Sequence, residues 1–450
     1  MCSINDCRFE HDDESTKGKT RDLSDTTLCR KCRCESVDVL LAGQSGYCNA
    51  CFLTATSHKF RAALGKSKII RRGDAILVDH SGELNSTVLL HLIKAGLSES
   101  THKKIIFKTV VLYIDDNVAR TSEERDALRR RIAEETRASG FDGYAVSLSQ
   151  VLNAEDALDV KPMGEEMSHE RDDQLRAMLA GLSDDTARTD LIGQLRRRLL
   201  LSAARRLDCG KIFVADSAVD IAAKALGDVC LGRGAQLSAL AGFCDARCTD
   251  VLILKPMRDF TQQELAHYSR YHGISCVKPA ELGAPAACIQ ALARGFTTQL
   301  ESQFSGTVST VFRTADKVSP RGDAQRGVED NCALCDASLD SGTSADEVTA
   351  TRALEVSKRV SSRCVAASSP GNEEASGDSN CLVPGTACSC KNDVRGQVAA
   401  EDVWRCLCYS CRRIFPSTEI LCDLPAPLLS AIRQRIALKS MKERISDFLL

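Results

Sequence analysis

The stretch from Ile69 to Ile93 constrains the fold most. Ala75 to Val78 is a short apolar run rich in β-formers, and from about Ser86 an apolar helix follows. Between them lies Ser81-Gly82-Glu83-Leu84-Asn85-Ser86. A buried strand feeding a helix through a tight Ser/Gly loop is the opening unit of a parallel α/β sheet, and such a helix start can present free N–H groups to an anion. Ser-Gly-x-x-x-Ser alone is a weak motif, and an ordinary strand-to-helix turn is its commoner explanation. Glu83 places a carboxylate where backbone would have to approach a phosphate.

The sequence predicts further alternation of strands and helices. Strands are expected at Ile105 to Ile114, Gly143 to Leu148, Lys211 to Ala215, Val251 to Leu254 and Ile274 to Val277. Thr121-Ser-Glu-Glu124 and Thr261-Gln-Gln-Glu264 are capping-box signatures, and Gly140 can end the helix that the first one opens. A helix from about Thr189 to Leu207 carries Arg196, Arg197, Arg198, Arg205 and Arg206 on an expected polar face. The acidic stretch 154–185 reads as an irregular surface excursion. This order implies an α/β fold with a doubly wound parallel sheet. Asp216 and Ser217 fall at a strand end, where such sheets bind ligands. Asp216 is read there either as a nucleotide contact or as a helix N-cap.

The chain has 23 cysteines and a net charge of −2. The first residues lack an apolar signal segment and no run is long enough to span a membrane, so a cytosolic protein is expected. In a reducing compartment paired cysteines point to metal before disulfides. Cys29-x-x-Cys32 and Cys48-x-x-Cys51, fifteen residues apart, have the spacing of a structural zinc site. Cys34 is a spare able to replace Cys32. Residues 1–28 are polar and expected to be disordered. Lys59, Arg61, Lys66, Lys68, Arg71 and Arg72 crowd a stretch without acids, which suits either a nucleic-acid backbone or a solvated helix face.

Several blocks in order resemble a known family. The Ser-Gly loop resembles the pyrophosphate loop of PP-loop ATP pyrophosphatases, with its second glycine replaced by Glu83. Together with Cys29-Arg-Lys-Cys32, Tyr47-Cys-Asn-Ala-Cys-Phe-Leu53, Ser57-His-Lys-Phe60, Phe213-Val-Ala-Asp-Ser-Ala218, Leu231-Gly-Arg-Gly234, Leu254-Lys-Pro-Met-Arg-Asp-Phe260 and Val308 to Lys317, it resembles the second, degenerate PP-loop subunit of the cytoplasmic tRNA thiolation complex. That resemblance implies a PP-loop α/β domain over 61–320, after a zinc segment at 29–60. It also implies a C-terminal zinc ribbon within 321–450, ligated by Cys332, Cys335, Cys408 and Cys411 around a disordered insertion at about 341–400. Cys381, Cys388, Cys390 and Cys406 leave those ligands open to exchange.

The resemblance further implies a heterodimer with a catalytic PP-loop subunit, tRNA as substrate and a ubiquitin-related sulfur carrier. Zinc is the implied metal, and ATP would contact Ser81, Gly82, Ser86 and Asp216 if the loop still binds it. No cysteine occurs between Cys51 and Cys209, where catalytic relatives carry a Cys-x-x-Cys-Gly motif, so a non-catalytic or weakly catalytic subunit is expected. Cys276 is the remaining thiol to test, near an expected strand end. Arg233, between two glycines, could serve a phosphate or the partner, or simply occupy a surface turn. Two rival readings are a self-sufficient ATP pyrophosphatase and a zinc-dependent RNA-binding module without a thiolation role.

Overall fold

The computed structural model describes residues 28–41, 45–98, 106–118, 120–182, 184–277, 287–304, 306–318, 331–339, 400–415 and 424–446. Most of the N-terminal tail expected at 1–28, nearly all of the expected insertion, and Cys381, Cys388 and Cys390 lie outside them. The chain divides into two units, Met1–His58 and Lys59–Leu450. Among the described residues no helix is long and apolar enough to cross a membrane.

In the first unit, β1 (Val39–Leu41) pairs antiparallel with β2 (Ser45–Tyr47). A Cβ at Gly46 would stand 2.6 Å from a Val37 methyl, so only glycine lets these segments close. Helix α1 (Asn49–Ser67) begins here and ends in the second unit.

The second unit is built on β3 (Ala75–Asp79), α2 (Leu84–Leu97), β4 (Lys108–Asp115), α3 (Ser122–Ser139), β5 (Asp142–Ser147), β6 (Lys161–Pro162), α4 (Asp172–Ala180), α5 (Asp185–Arg206), β7 (Lys211–Phe213), α6 (Ala218–Cys230), α7 (Leu237–Ala241), β8 (Cys244–Asp245), β9 (Leu252–Leu254), α8 (Gln262–His272), α9 (Ile289–Gln303) and α10 (Thr307–Ala315). The sheet runs β6-β5-β4-β3-β7-β9-β8. The five inner strands are parallel, while β6 and β8 add antiparallel edges. Ile76, Leu77 and Val78 are fully buried, as a central parallel strand with helices on both faces requires. Chain order reverses between β3 and β7, which opens a crevice at their C-terminal ends.

Both foreseen capping boxes form, with Thr121 and Thr261 each closed by a glutamate three residues on. Gly140 ends α3 in the left-handed conformation, φ 80°.

Four expectations are corrected. Residues 154–185 are not an irregular excursion: α4 buries Leu175, Met178 and Leu179, and its buried Asp172 pairs with Arg125. The arginines of α5 do not share a solvated face, since Arg196 and Arg197 are ion-paired inside the fold and Arg198 bonds a buried loop. Ile274 to Val277 is not a strand, because the Ile274 N–H is used to close the end of α8 on the Ser269 carbonyl and β8 already flanks β9. Asp216 is not an N-cap: Ser217 caps α6, in a capping box with Asp220 that the sequence reading missed.

The C-terminal elements are α11 (Ala400–Arg405), α12 (Tyr409–Ile414) and α13 (Ala426–Ser446). Cys332, Leu334, Leu407, Cys411, Leu428 and Ile432 join the same apolar cluster as Leu77, Leu195 and Ile212. The C-terminal segment is thus continuous with the core under the sheet.

Candidate metal centres and phosphate crevice

Two groups of four cysteine sulfurs form, Cys29/Cys32/Cys48/Cys51 and Cys332/Cys335/Cys408/Cys411. Within each, all four Sγ atoms lie within 4.8 Å of one another. Cys32 and Cys48 Sγ are 3.8 Å apart, and Cys335 and Cys408 Sγ 3.7 Å. A tetrahedron with metal–sulfur bonds of about 2.3 Å has edges of about 3.8 Å, so these donor sets fit a four-coordinate ion such as zinc.

Both groups are built on one local plan. In each, the first CxxC is a knuckle closed by a backbone bond, Arg33 N–H to Cys29 carbonyl and Asp336 N–H to Cys332 carbonyl. The residue after the knuckle is left-handed in both, Arg33 at φ 57° and Asp336 at φ 57°. The second CxxC opens a helix, with Phe52 N–H bonding the Cys48 carbonyl and Arg412 N–H that of Cys408. A helix start favours nearby thiolates through its free N–H groups.

The two groups differ in exposure. Cys32 and Cys51 are half-buried, whereas all four C-terminal cysteines are buried. Hydrogen bonds from Cys335, Cys408 and Cys411 hold the Cys332 thiol well below its ordinary range. Cys34 stays outside its group, exposed, with its thiol on the Cys32 carbonyl. Cys406 is also outside, half-buried beside the second group's chain.

The crevice between β3 and β7 holds the Ser81–Ser86 loop. Gly82 has φ 78°, a backbone turn that only glycine makes without strain. The loop hydroxyls are turned inward. Ser86 Oγ lies 3.2 Å from Ser81 Oγ, 3.0 Å from His80 Nδ1 and 2.9 Å from the Glu83 carbonyl. His80 is fully buried, and its Nε2 lies 3.3 Å from Glu135. Glu83 is the N-cap of α2, without a side-chain cap bond.

Around the loop the carboxylates are each paired with a cation, while the Lys255 ammonium donates to the Ala239 and Gly242 carbonyls. Arg196 spans the ends of β3 and β4, 2.9 Å from Asp79 and 3.5 Å from Asp116. Burial pushes the Asp79 carboxyl up, and Arg196 opposes it. Asp216 is held 2.7 Å from Lys224. Asn85 and Arg294 both bond Asp220, at 2.9 and 2.8 Å. Lys255, just after β9, is almost fully buried, and burial lowers it to about 8. A phosphate entering here would meet four carboxylates and hydroxyls already engaged. His80, Arg196 and Lys255 were not foreseen as parts of this site: Arg196 and Lys255 are placed by strand order, whereas His80 adjoins the loop and its position just before Ser81 was the available signal.

The other expected residues are scattered. Lys59 is bound to Glu264 at 2.7 Å and lies 4.8 Å from the Phe260 ring, so its charge is committed within the fold rather than offered to a backbone phosphate. Arg61 is half-buried, and Lys66, Lys68, Arg71 and Arg72 are exposed. They precede the N-terminal end of β3, whereas the crevice lies at the strands' C-terminal ends. Cys276 is half-buried in the irregular segment after α8. Arg233 is neither on the surface nor at a phosphate site: it is buried and paired with Asp190 at 2.6 Å and Asp228 at 3.3 Å.

Comparison with known proteins agrees with this architecture. Residues 288–413 match the family model for cytoplasmic tRNA 2-thiolation protein 2. Cytoplasmic tRNA 2-thiolation protein 2 of Anopheles gambiae is 31% identical over 425 residues, covering 91% of this chain and 99% of that protein. The chain belongs to the cytoplasmic tRNA 2-thiolation protein 2 family. Protein 2-A of Xenopus laevis is 28% identical, with 94% of each chain covered. Among solved structures, the U34-tRNA thiolase NcsA from Methanococcus maripaludis, determined with its 4Fe–4S cluster, superposes with a TM-score of 0.51 at 15% identity, over 69% of this chain and 92% of that one. That likeness establishes the PP-loop ATP pyrophosphatase type of fold for the α/β body.

Proposed function

We propose that this chain is a cytoplasmic subunit of a tRNA thiolation complex, required for 2-thiolation of the wobble uridine and working beside a catalytic PP-loop partner. The carrying observation is the family match over nearly the whole length of both chains. In this reading the two form a heterodimer, sulfur arrives from a thiocarboxylated ubiquitin-related modifier, and the products are 5-methoxycarbonylmethyl-2-thiouridine in the tRNAs for Lys, Glu and Gln. Lys66, Lys68, Arg71 and Arg72 touch tRNA backbone, with Arg61 behind them. Zinc occupies both four-cysteine groups, where a closed tetrathiolate is structural and keeps no open position for chemistry.

The crevice supports a partner-dependent role. Ser81 and Ser86 bond each other, Glu83 stands in the loop, and Arg196 bridges Asp79 and Asp116, so ATP activation is assigned to the partner. The NcsA structure carries an iron–sulfur cluster, whereas this chain has no cysteine from 52 to 208.

Nucleoside mass spectrometry of bulk tRNA from depleted cells tests the proposal. Loss of 2-thiouridine derivatives, with the oxygen forms accumulating, is expected. Unchanged thiouridine would leave the zinc-dependent RNA-binding module as the reading to pursue.

A further inference from the structure

Four arginines of the α/β body converge on the C-terminal cysteine group. Arg197 Nη1 lies 2.7 Å from Asp336, the residue after Cys335. Arg247 Nη1 donates to the Cys335 carbonyl at 3.1 Å, while its Nη2 lies 2.6 Å from Asp245. Arg233, one turn after α6, is paired with Asp190 and Asp228. Each of these three has its own carboxylate.

Arg198 does not. It is half-buried on α5 and donates Nη1 to the Ala333 carbonyl, inside the Cys332–Cys335 knuckle, at 2.5 Å. Among the described residues no carboxylate lies within ion-pair distance of it; Asp336 is engaged by Arg197, and Glu155 by Arg205. A half-buried cation whose opposite charges, Asp336 and Glu155, are already shared with other arginines is incompletely balanced. Burial indeed works against the charge on this guanidinium.

A further anion adjoins the knuckle that Arg198 bonds, the cysteine group itself. Four thiolates around one divalent ion sum to −2, and this group is fully buried, so water cannot balance it. The N-terminal group has two half-buried cysteines and meets solvent instead. We infer that Arg198 is the counter-cation of the C-terminal tetrathiolate site, and that its charge holds the metal in place. This rests on the proposal that the site carries zinc.

The test uses the full-length protein. Zinc content of the purified chain, by elemental mass spectrometry, first checks the metal itself: two equivalents are expected. Zinc release to the chromogenic chelator 4-(2-pyridylazo)resorcinol is then followed in Arg198→Met, Arg198→Gln and Arg198→Lys, with native circular dichroism required of each. The Gln variant keeps a donor for the Ala333 carbonyl and stands in if the Met variant fails to fold. The slow, C-terminal phase is expected to quicken about tenfold in Met and Gln, the lower range seen when outer-shell partners are removed. It should return toward the original rate in Lys, with the fast, N-terminal phase unchanged throughout. Original kinetics in Met and Gln, or equal acceleration in all three variants, would overturn the role of charge. Two zinc equivalents with unaltered release would sink this inference alone; absence of zinc would sink the metal reading beneath it.

Discussion

Arg196 shows how one side chain alters what a crevice can do. It stands between Asp79 and Asp116, where the strand ends would otherwise present two neighbouring carboxylates. Arg196→Ala is expected to cost about 1–3 kcal/mol, below the full range for a buried pair because both carboxylates retain some exposure, 16% and 29%. Urea unfolding measures it, and adding Asp79→Asn should recover part of the loss. Asp245 gives a second residue-scale prediction. Burial works against its charge, but Arg247 and Arg197 hold it below the usual carboxylate range. Its folded pKa is therefore lower than the unfolded value of about 3.9, so its contribution is present above that pH and is lost as pH falls through the folded value. Below about pH 4, Asp245→Asn should lose stability less steeply than the natural chain in urea titrations.

At the scale of elements, helix starts organise both kinds of site. Ser217 caps α6 in the crevice, accepts a bond from Gln262 at 2.9 Å, and is closed by Asp220. Ser217→Ala should lower stability by about 1–2 kcal/mol, and thermal unfolding reports it directly. Helix α5 is the other organiser. Its consecutive arginines reach different places: Arg196 the crevice, Arg197 and Arg198 the C-terminal knuckle. One helix thus carries the packing of both.

At the scale of the molecule, the C-terminal cysteine segment is part of the α/β body. Gly232 has φ 82°, and a Cβ there would stand 2.8 Å from the Tyr409 ring. Ser410 Oγ also bonds the Leu231 carbonyl beside it, at 2.5 Å. Gly232→Ala should therefore destabilise the whole second unit by about 2–4 kcal/mol, through a strained backbone and a displaced α12. Hydrogen exchange should rise in both α12 and α5. A change confined to residues 231–234 would refute that coupling.

Much of this was legible in the sequence because the signals are short-range. The two N-terminal CxxC pairs place their ligands within a few residues, Thr121-x-x-Glu124 closes its box inside one turn, and the apolar run Ala75 to Val78 reads as a buried strand. The strand-loop-helix order fixed the α/β class. Tertiary structure decided the rest. Lys59 looked like a free cation until α8 brought Glu264 beside it, 205 residues away. Arg233 read either as a phosphate or partner contact or as a surface turn until Asp190, 43 residues distant, met it in the interior. Arg198 and Ala333 meet across 135 residues. Local pattern encodes which backbone shape a segment favours. Which charge neutralises which depends on how the segments pack, because a buried charge is stable only beside a partner that the fold delivers.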